Sequence, residues 1–139
     1  MRARVAILAG LAALSVEAAA PTPSPYPRGA DVKTLSRKGQ AVGPLERLRV
    51  ADKYTVFDLY ADWCRPCRLV DAYLRDLLAG RADVAVRKLN VVDFDSPLAR
   101  EMGRDFDSLP YVVVFAPGGA RTDVTGFDPA ALDAALGVK

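Results

Sequence analysis

Apolar positions between residues 54 and 80 change from the spacing of a strand to that of a helix. The segment Tyr54–Tyr60, YTVFDLY, is rich in aromatic and β-branched residues without clean alternation, which predicts a strand covered on both faces. After Pro66 the apolar residues recur at helical spacing, opposite a charged face, as far as Gly80. An amphipathic helix is therefore predicted after the strand and its connecting turn.

The following segments continue this alternation and then change it. A strand is predicted over residues 83–92 and a helix from Ser96 to about Arg104, and strand, helix, strand is the order of parallel pairing through crossovers. Residues 111–125 show two strand patterns around Pro-Gly-Gly, typical of an antiparallel hairpin, and residues 128–137 predict a last helix. The sum is an α/β domain with a central mixed β-sheet flanked by helices.

Weaker patterns precede the first strong strand. Residues 31–36 predict a short edge strand, and residues 43–52 predict a short helix opened by Pro44. With 139 residues, of which 51% are apolar, the chain can fill a core of its own. We expect a single folded domain over residues 31–139.

The N-terminal segment differs from the rest of the chain. A basic start, a twelve-residue apolar run and then small residues give residues 1–20 the order of an export signal, cleaved near Ala18, Ala19 or Ala20. Twelve apolar residues cannot span a bilayer, and a buried N-terminal helix is the alternative. Prolines at every second position then favour an extended spacer over residues 21–30, with a plain disordered terminus as the alternative. We therefore expect a periplasmic or secreted protein.

Charge and composition narrow the possible functions. Nineteen basic and seventeen acidic residues nearly balance, so no basic face large enough to bind nucleic acid is expected. The chain has no histidine, which removes Ser-His and Cys-His nucleophile pairs and His-ligated zinc. We expect a monomer with no nucleic-acid partner.

The two cysteines of the chain, Cys64 and Cys67, are predicted in the first turn of the amphipathic helix, with Arg65 and Pro66 between them. A disulfide this local would be a poor staple, because loop entropy gives about 2 kcal/mol for four residues against about 4.7 for a hundred. The position of the pair at a helix N-terminus favours a reactive pair over a structural disulfide. A thiol at a helix N-terminus meets unpaired backbone donors and the positive end of the helix dipole, which favour the reactive thiolate.

This position predicts different roles for the two thiols. Cys64, beside the charge of Arg65, is expected to be the more acidic thiol and to attack a partner's disulfide. Cys67, inside the first turn, is expected to be more buried and to resolve the mixed disulfide. Pro66 suits the first turn because it has no N–H to leave unpaired. A structural disulfide and a two-thiolate site for a soft metal such as Cu(I) are the alternatives.

An acidic residue interrupts the apolar strand before the cysteines. Asp58 lies six residues before Cys64, where an aspartate must be paired or neutral to offset the cost of desolvation. Beneath the pair, a carboxyl of raised pKa could take the proton of Cys67. Lys88, in the next predicted strand, is a candidate charge partner. A surface-facing Asp58 and an ordinary solvated Lys88 are the alternatives.

Four short segments resemble the thioredoxin family, and the resemblance covers roughly residues 54–136. They are WCRPC at 63–67, RKLNV at 87–91, SLPYVVVF at 108–115 and PGG at 117–119. The run DLYADWC also resembles the C-terminal thioredoxin-like domain of DsbD, a membrane protein that passes reducing equivalents into the bacterial periplasm. The resemblance implies a thioredoxin fold.

The resemblance also implies roles for individual residues. Cys64 would be the nucleophile and Cys67 the resolving thiol. Asp58 would be the buried acid-base residue, with Lys88 as its charge partner. Pro110 would be a cis-proline next to the cysteines, although most X–Pro bonds are trans. The residues flanking the site would be Trp63, Arg65, Pro66 and Leu109.

The expected function is an exported thiol-disulfide oxidoreductase that needs no cofactor beyond its redox-active disulfide. Its expected partners are protein disulfide or dithiol substrates and an upstream redox partner such as a membrane thiol relay. The DsbD-like segment favours the reducing direction, whereas Arg65 favours the oxidising one because it stabilises the thiolate. The common thioredoxin pattern has neither Arg-Pro between the cysteines nor a residue as bulky as Leu109 before the cis-proline. These departures leave the reduction potential and the choice of protein partner open. A Cu(I) carrier and a binding module with an idle cysteine pair are the alternatives.

Overall fold

The computed structural model describes residues 26–139. The predicted signal segment and the first residues of the predicted spacer lie outside the described residues. The elements in chain order are β1 (Asp31–Ser36), a 3₁₀ helix (Leu45–Leu48), β2 (Tyr54–Tyr60), α1 (Cys67–Gly80), β3 (Val84–Asn90), α2 (Pro97–Met102), β4 (Tyr111–Phe115), β5 (Arg121–Thr125) and α3 (Pro129–Ala135). No helix in this part of the chain is long and apolar enough to cross a membrane.

The five strands form one mixed sheet in the order β1-β3-β2-β4-β5. β1 and β2 both pair parallel to β3, whereas β4 pairs antiparallel to β2 and β5 antiparallel to β4. α1 provides the crossover from β2 to β3, and a short turn closes the hairpin between β4 and β5. The predicted α/β domain with a central mixed sheet is confirmed, and β2 occupies its centre.

The alternating side chains of β2 divide the core into two layers. Val56 packs with α1 and α3 on one face of the sheet, whereas Phe57 and Leu59 pack with α2 on the other face. Because side chains alternate with a period of two, Asp58 and its register partner Lys88 fall on the face of Val56, beneath α1. The sheet therefore presents a charged pair to the helix that carries Cys67.

The short helix predicted over residues 43–52 forms after Pro44, but it is shorter than predicted and of the 3₁₀ type. The chain forms only the 3₁₀ helix Leu45–Leu48, and Arg49 after it is already extended, with φ −62° and ψ 148°. The Val50 N–H donates to Thr55 Oγ1 at 2.9 Å, which holds the segment against the start of β2. The helix therefore ends just before this contact, where Arg49 leaves the helical conformation.

α2 begins where the sequence predicts and ends earlier. Ser96 Oγ accepts the Ala99 N–H at 3.1 Å and caps the helix, as a serine before proline predicts. The helix ends at Met102, because Gly103 adopts φ 105°, a conformation that only glycine reaches easily. β3 and α3 are likewise slightly shorter than predicted.

Residues 26–30, which the sequence places in the spacer, are packed onto the domain. The Ala30 N–H donates to the Pro27 carbonyl at 3.0 Å and closes a turn. Tyr26 and Ala30 both pack against the core layer beneath α1. The segment before β1 is therefore joined to the same layer as the charged pair.

Candidate active site

The cysteine pair lies between the end of β2 and the start of α1. A disulfide joins Cys64 to Cys67, with 5.4 Å between their Cα atoms. Cys67 is the first residue of α1, while Cys64 precedes the helix, so the expectation that both lie inside its first turn is wrong. The Cys67 N–H donates to Cys64 Sγ at 3.3 Å. This N–H has no acceptor within the helix, and its hydrogen bond to the sulfur of Cys64 would stabilise a thiolate there.

Both cysteines are buried to the same extent, each with 4% of its surface exposed. The expectation that Cys67 is the more buried of the two is therefore wrong. Both cysteines belong to a small buried cluster with Ala61, and the partly buried Tyr60 and Leu109 pack against this cluster. The two thiols differ by position at the helix end and not by depth.

The Leu109–Pro110 peptide bond is cis. Pro110 is buried, and its carbonyl accepts the Gly126 N–H at 2.8 Å, which ties the loop before β4 to the end of β5. Leu109 packs against the cysteine cluster. The structure thus brings the resemblance-derived proline loop and the cysteine pair together.

Trp63 lies at the surface next to the pair. It is 59% exposed, and its Nε1–H donates to the Val92 carbonyl at 2.6 Å. Its ring meets Phe94 edge to face, with 6.0 Å between centroids. Arg65 and Pro66 are also exposed. These three residues flank the site from outside, and Trp63 is not a core residue.

Asp58 and Lys88 form a buried ion pair. They face each other in the register of β2 and β3, and Lys88 Nζ donates to Asp58 Oδ2 at 2.6 Å. Asp58 is 0% exposed, and its Oδ1 accepts no hydrogen bond from any described residue. Burial raises the pKa of Asp58, although the charge of Lys88 opposes that rise. A buried carboxyl with a raised pKa is suited to take up a proton and to release it when its surroundings change.

Lys88 is shared with a second carboxylate that sequence reasoning missed. Its Nζ also donates to Asp71 Oδ1 at 2.8 Å and lies 4.6 Å from the centroid of the Tyr60 ring. Burial alone would lower the pKa of Lys88, but the charge of Asp58 and the hydrogen bonds to both carboxylates raise it. Lys88 is therefore a fixed cation. Asp71 lies on the charged face of α1, so the sequence pattern gives no signal for this contact.

Tyr26 is the second residue that sequence reasoning missed. Its hydroxyl donates to Asp71 Oδ1 at 2.5 Å from the segment before β1. Arg75 Nη1 lies 3.5 Å from the other oxygen of the same carboxylate. Burial would raise the pKa of Asp71, but the hydrogen bonds from Lys88 and Tyr26 outweigh burial and lower it. Asp71 is therefore an ionised carboxylate on the open side of Lys88.

A cavity of about 490 Å³ connects these groups to the cysteines. Its lining consists of Tyr60, Ala61, Asp62, Cys64, Cys67, Arg68, Asp71 and Lys88. No group of three or more His, Cys, Asp or Glu residues within residues 26–139 is placed to hold a metal ion. A disulfide, a fixed lysine and an ionised carboxylate thus share one opening, with a buried carboxyl behind the lysine.

This arrangement defines a class of site: a dithiol/disulfide pair at a helix N-terminus, beside a cis-proline loop and above a buried carboxyl, in an α/β domain. A family model described as Thioredoxin matches residues 45–137. The chain belongs to the thioredoxin family, and it is a thioredoxin-like thiol-disulfide oxidoreductase.

Individual relatives agree with this assignment. Thioredoxin-2 of Saccharomyces cerevisiae is 32% identical over 89 residues, which is 64% of this chain and 83% of that protein. The short form of thioredoxin f from spinach chloroplast has a TM-score of 0.60 at 23% identity, over 78% of this chain and 92% of that one. A chain in the solved complex of ferredoxin:thioredoxin reductase with thioredoxin f2 has a TM-score of 0.58 at 25% identity, over 77% and 93%.

Proposed function

We propose that this protein is exported and reduces disulfides of other proteins with the pair Cys64 and Cys67. The observation that carries the proposal is the shared cavity, which holds both sulfurs and the lysine that is bonded to Asp58. A structural staple has no need for such an opening, whereas a redox pair needs access for substrate and for protons.

The proposed reaction begins from the reduced pair. The Cys64 thiolate attacks one sulfur of a substrate disulfide, forming a mixed disulfide and releasing the other substrate sulfur as a thiolate. Cys67 then gives its thiol proton to the Asp58 carboxylate and attacks Cys64 Sγ. The second substrate thiolate leaves, the substrate thiolates take up the proton from Asp58 and one from solvent, and the pair is closed. Two electrons have moved from the cysteine pair to the substrate.

Turnover requires an upstream reductant that opens the Cys64–Cys67 disulfide. The thioredoxin f2 noted above forms a complex with ferredoxin:thioredoxin reductase, which supports a dedicated reductase as the class of partner. The DsbD-like run before Cys64 and the predicted export signal favour a membrane thiol relay as the donor for this chain. Trp63, which is exposed beside the pair, and Leu109, which packs against the cysteine cluster, are the residues expected to contact either partner.

The direction of electron flow is tested by the reduction potential. Equilibration of the protein with defined glutathione ratios, read by mass after alkylation, should give a value nearer to about −270 mV than to about −120 mV, the potentials of thioredoxin and DsbA. Arg65→Gly should shift the potential further in the reducing direction, because the charge that stabilises the Cys64 thiolate is gone. A wild-type value close to that of DsbA would overturn the reducing assignment.

Two controls separate this proposal from its alternatives. Cys64→Ser should abolish the reduction of insulin disulfides, and unchanged activity would favour a binding module with an idle pair. Expression of the full chain in a bacterial host should yield periplasmic protein whose N-terminus lies at residues 19–21. A cytoplasmic, unprocessed chain would contradict export and leave the reductase assignment standing.

A further inference from the structure

The ammonium group of Lys88 contacts two carboxylates, one fully buried and one partly exposed. Lys88 Nζ lies 2.6 Å from Asp58 Oδ2 on β2 and 2.8 Å from Asp71 Oδ1 on α1. Asp58 is fully buried, while the Asp71 side chain is 29% exposed at the mouth of the cavity. Lys88 therefore bridges the sheet and the helix that carries Cys67.

Asp71 is held in place from a distant part of the chain. Tyr26, 45 residues earlier, donates its hydroxyl to the same Oδ1 atom that Lys88 contacts. The Tyr26 ring packs against the core layer beneath α1, so its hydroxyl is not free to follow a moving carboxylate. With Arg75 on the outer oxygen, the Asp71 carboxylate is fixed in the orientation that faces Lys88.

A shared cation neutralises each carboxylate less than an undivided one would. Asp71 also adds its own negative charge close to Asp58, and like charges oppose each other's ionisation. Both effects act in the same direction on the buried group. Loss of the Asp71 charge would leave Lys88 to pair with Asp58 alone and would make the ionised form of Asp58 easier to reach.

We propose that Tyr26 and Asp71 are positioning residues of the redox site, which divide Lys88 between two carboxylates and thereby set the pH at which Asp58 becomes a base. The proposal deepens the function given above and rests on it for its meaning in catalysis. It also gives the segment before β1 a role at the site, because the Tyr26 hydroxyl of that segment donates to Asp71.

The remaining charged or titratable groups around this cluster stay unchanged in the test. They are Tyr60 on β2, Asp62 in the turn after it, and Arg68 and Arg75 on α1. Burial and the charge of Asp71 both raise the pKa of Asp58, while Lys88 lowers it, which agrees with the direction expected from the geometry.

The test is a titration of the Asp58 carboxyl carbon by ¹³C NMR in the oxidised protein. Asp71→Asn, which keeps the shape and removes the charge, should shift the Asp58 midpoint to lower pH by about one unit. Tyr26→Phe should shift it in the same direction by a smaller amount, because Asp71 is then free to turn towards solvent. Asp71→Glu should return the midpoint towards that of the wild type.

Asp76→Asn is the matched control, since Asp76 is an exposed aspartate on the same helix. An unshifted midpoint in Asp71→Asn, or an equal shift in Asp76→Asn, would overturn the proposal. The pH profile of insulin reduction should move with the midpoint in Asp71→Asn. Because the titration does not depend on turnover, a protein that shifts as expected and reduces no disulfide would contradict the proposed function and not this inference.

Discussion

Two clusters of the same chemical make-up lie in different parts of the molecule, and in each a cation bridges two carboxylates while a tyrosine hydroxyl donates to one of them. The inner cluster, at the cysteine cavity, consists of Tyr26, Asp58, Asp71 and Lys88. The outer cluster, at the β5 edge of the sheet, consists of Glu46, Tyr111, Arg121 and Asp123. The two clusters contain the same kinds of groups, but they differ in how deeply those groups are buried.

The pKa of Asp58 in the inner cluster and that of Asp123 in the outer cluster are shifted in opposite directions. Asp58 is sealed from water, and burial raises its pKa against the pull of Lys88. The Asp123 side chain is 32% exposed, and hydrogen bonds from Arg121 lower its pKa despite partial burial. The two carboxyls also differ in their donors: among the described residues Asp58 accepts a hydrogen bond from Lys88 alone, whereas Asp123 accepts from both Arg121 and Tyr111. Depth in the fold and the number of donors together separate the buried carboxyl from the surface one.

The largest expected difference between the clusters is in the loss of the cation. Lys88→Met leaves Asp58 buried without its partner and should reduce the free energy of unfolding by about 3 kcal/mol at pH 8. Arg121→Met removes a surface pair and should cost about 1 kcal/mol or less. Urea denaturation of both variants measures this. The Lys88→Met loss should shrink as pH falls, because the unpaired Asp58 then takes up a proton. Equal losses for the two variants would break the comparison.

The next difference is in the sign of the pH dependence. The folded pKa of Asp58 lies above the unfolded value of about 3.9, so its proton stabilises the fold below that pH, and this contribution is lost as pH rises through the folded pKa. Asp58→Asn should therefore gain stability relative to the wild type as pH rises above 4, by at most about 1.4 kcal/mol per unit.

Asp123 should behave in the opposite way. Its folded pKa lies below the unfolded value, so its contribution is present above about pH 4 and is lost as pH falls. Asp123→Asn should cost up to about 1 kcal/mol at pH 7 and progressively less as pH falls below 4. Urea curves at four pH values decide the slopes, and slopes of equal sign for the two variants would contradict the account.

The smallest expected difference is between the two tyrosines. Tyr26→Phe removes a partly buried hydrogen bond to Asp71 and should lower the free energy of unfolding by about 1 kcal/mol. Tyr111→Phe removes an exposed hydrogen bond to Asp123 and should cost about half as much. Thermal unfolding of the pair provides the measurement. A larger loss for Tyr111→Phe would mean that depth does not rank these bonds.

The parts of the site that local pattern could predict are those carried by consecutive residues. The cysteine pair follows a strand and precedes an amphipathic pattern, and this order alone indicates that Cys67 lies in the first turn of α1. Asp58 interrupts an apolar strand, and Lys88 lies in the strand that the crossover brings alongside, so their pairing was within reach of the sequence.

The parts that could not be predicted depend on contacts between distant segments. Asp71 shares a face of α1 with Arg68 and Arg75, so it has the pattern of a solvated position. Tyr26 lies in a proline-rich run with no pattern of its own, and its partner is 45 residues away. The two cysteines are equally buried in one cluster, against which Leu109 packs from a loop more than 40 residues later in the chain, and no local spacing indicates this.

The most direct test of the account is to trap the mixed disulfide that it requires. Reduced Cys67→Ala protein, mixed with disulfide-bonded insulin, should form one adduct per chain at Cys64, which intact mass detects and dithiothreitol releases. Cys64→Ala protein treated in the same way should form none. A folded Cys67→Ala protein whose Cys64 can be alkylated but forms no adduct would contradict the claim that the pair exchanges disulfides with proteins.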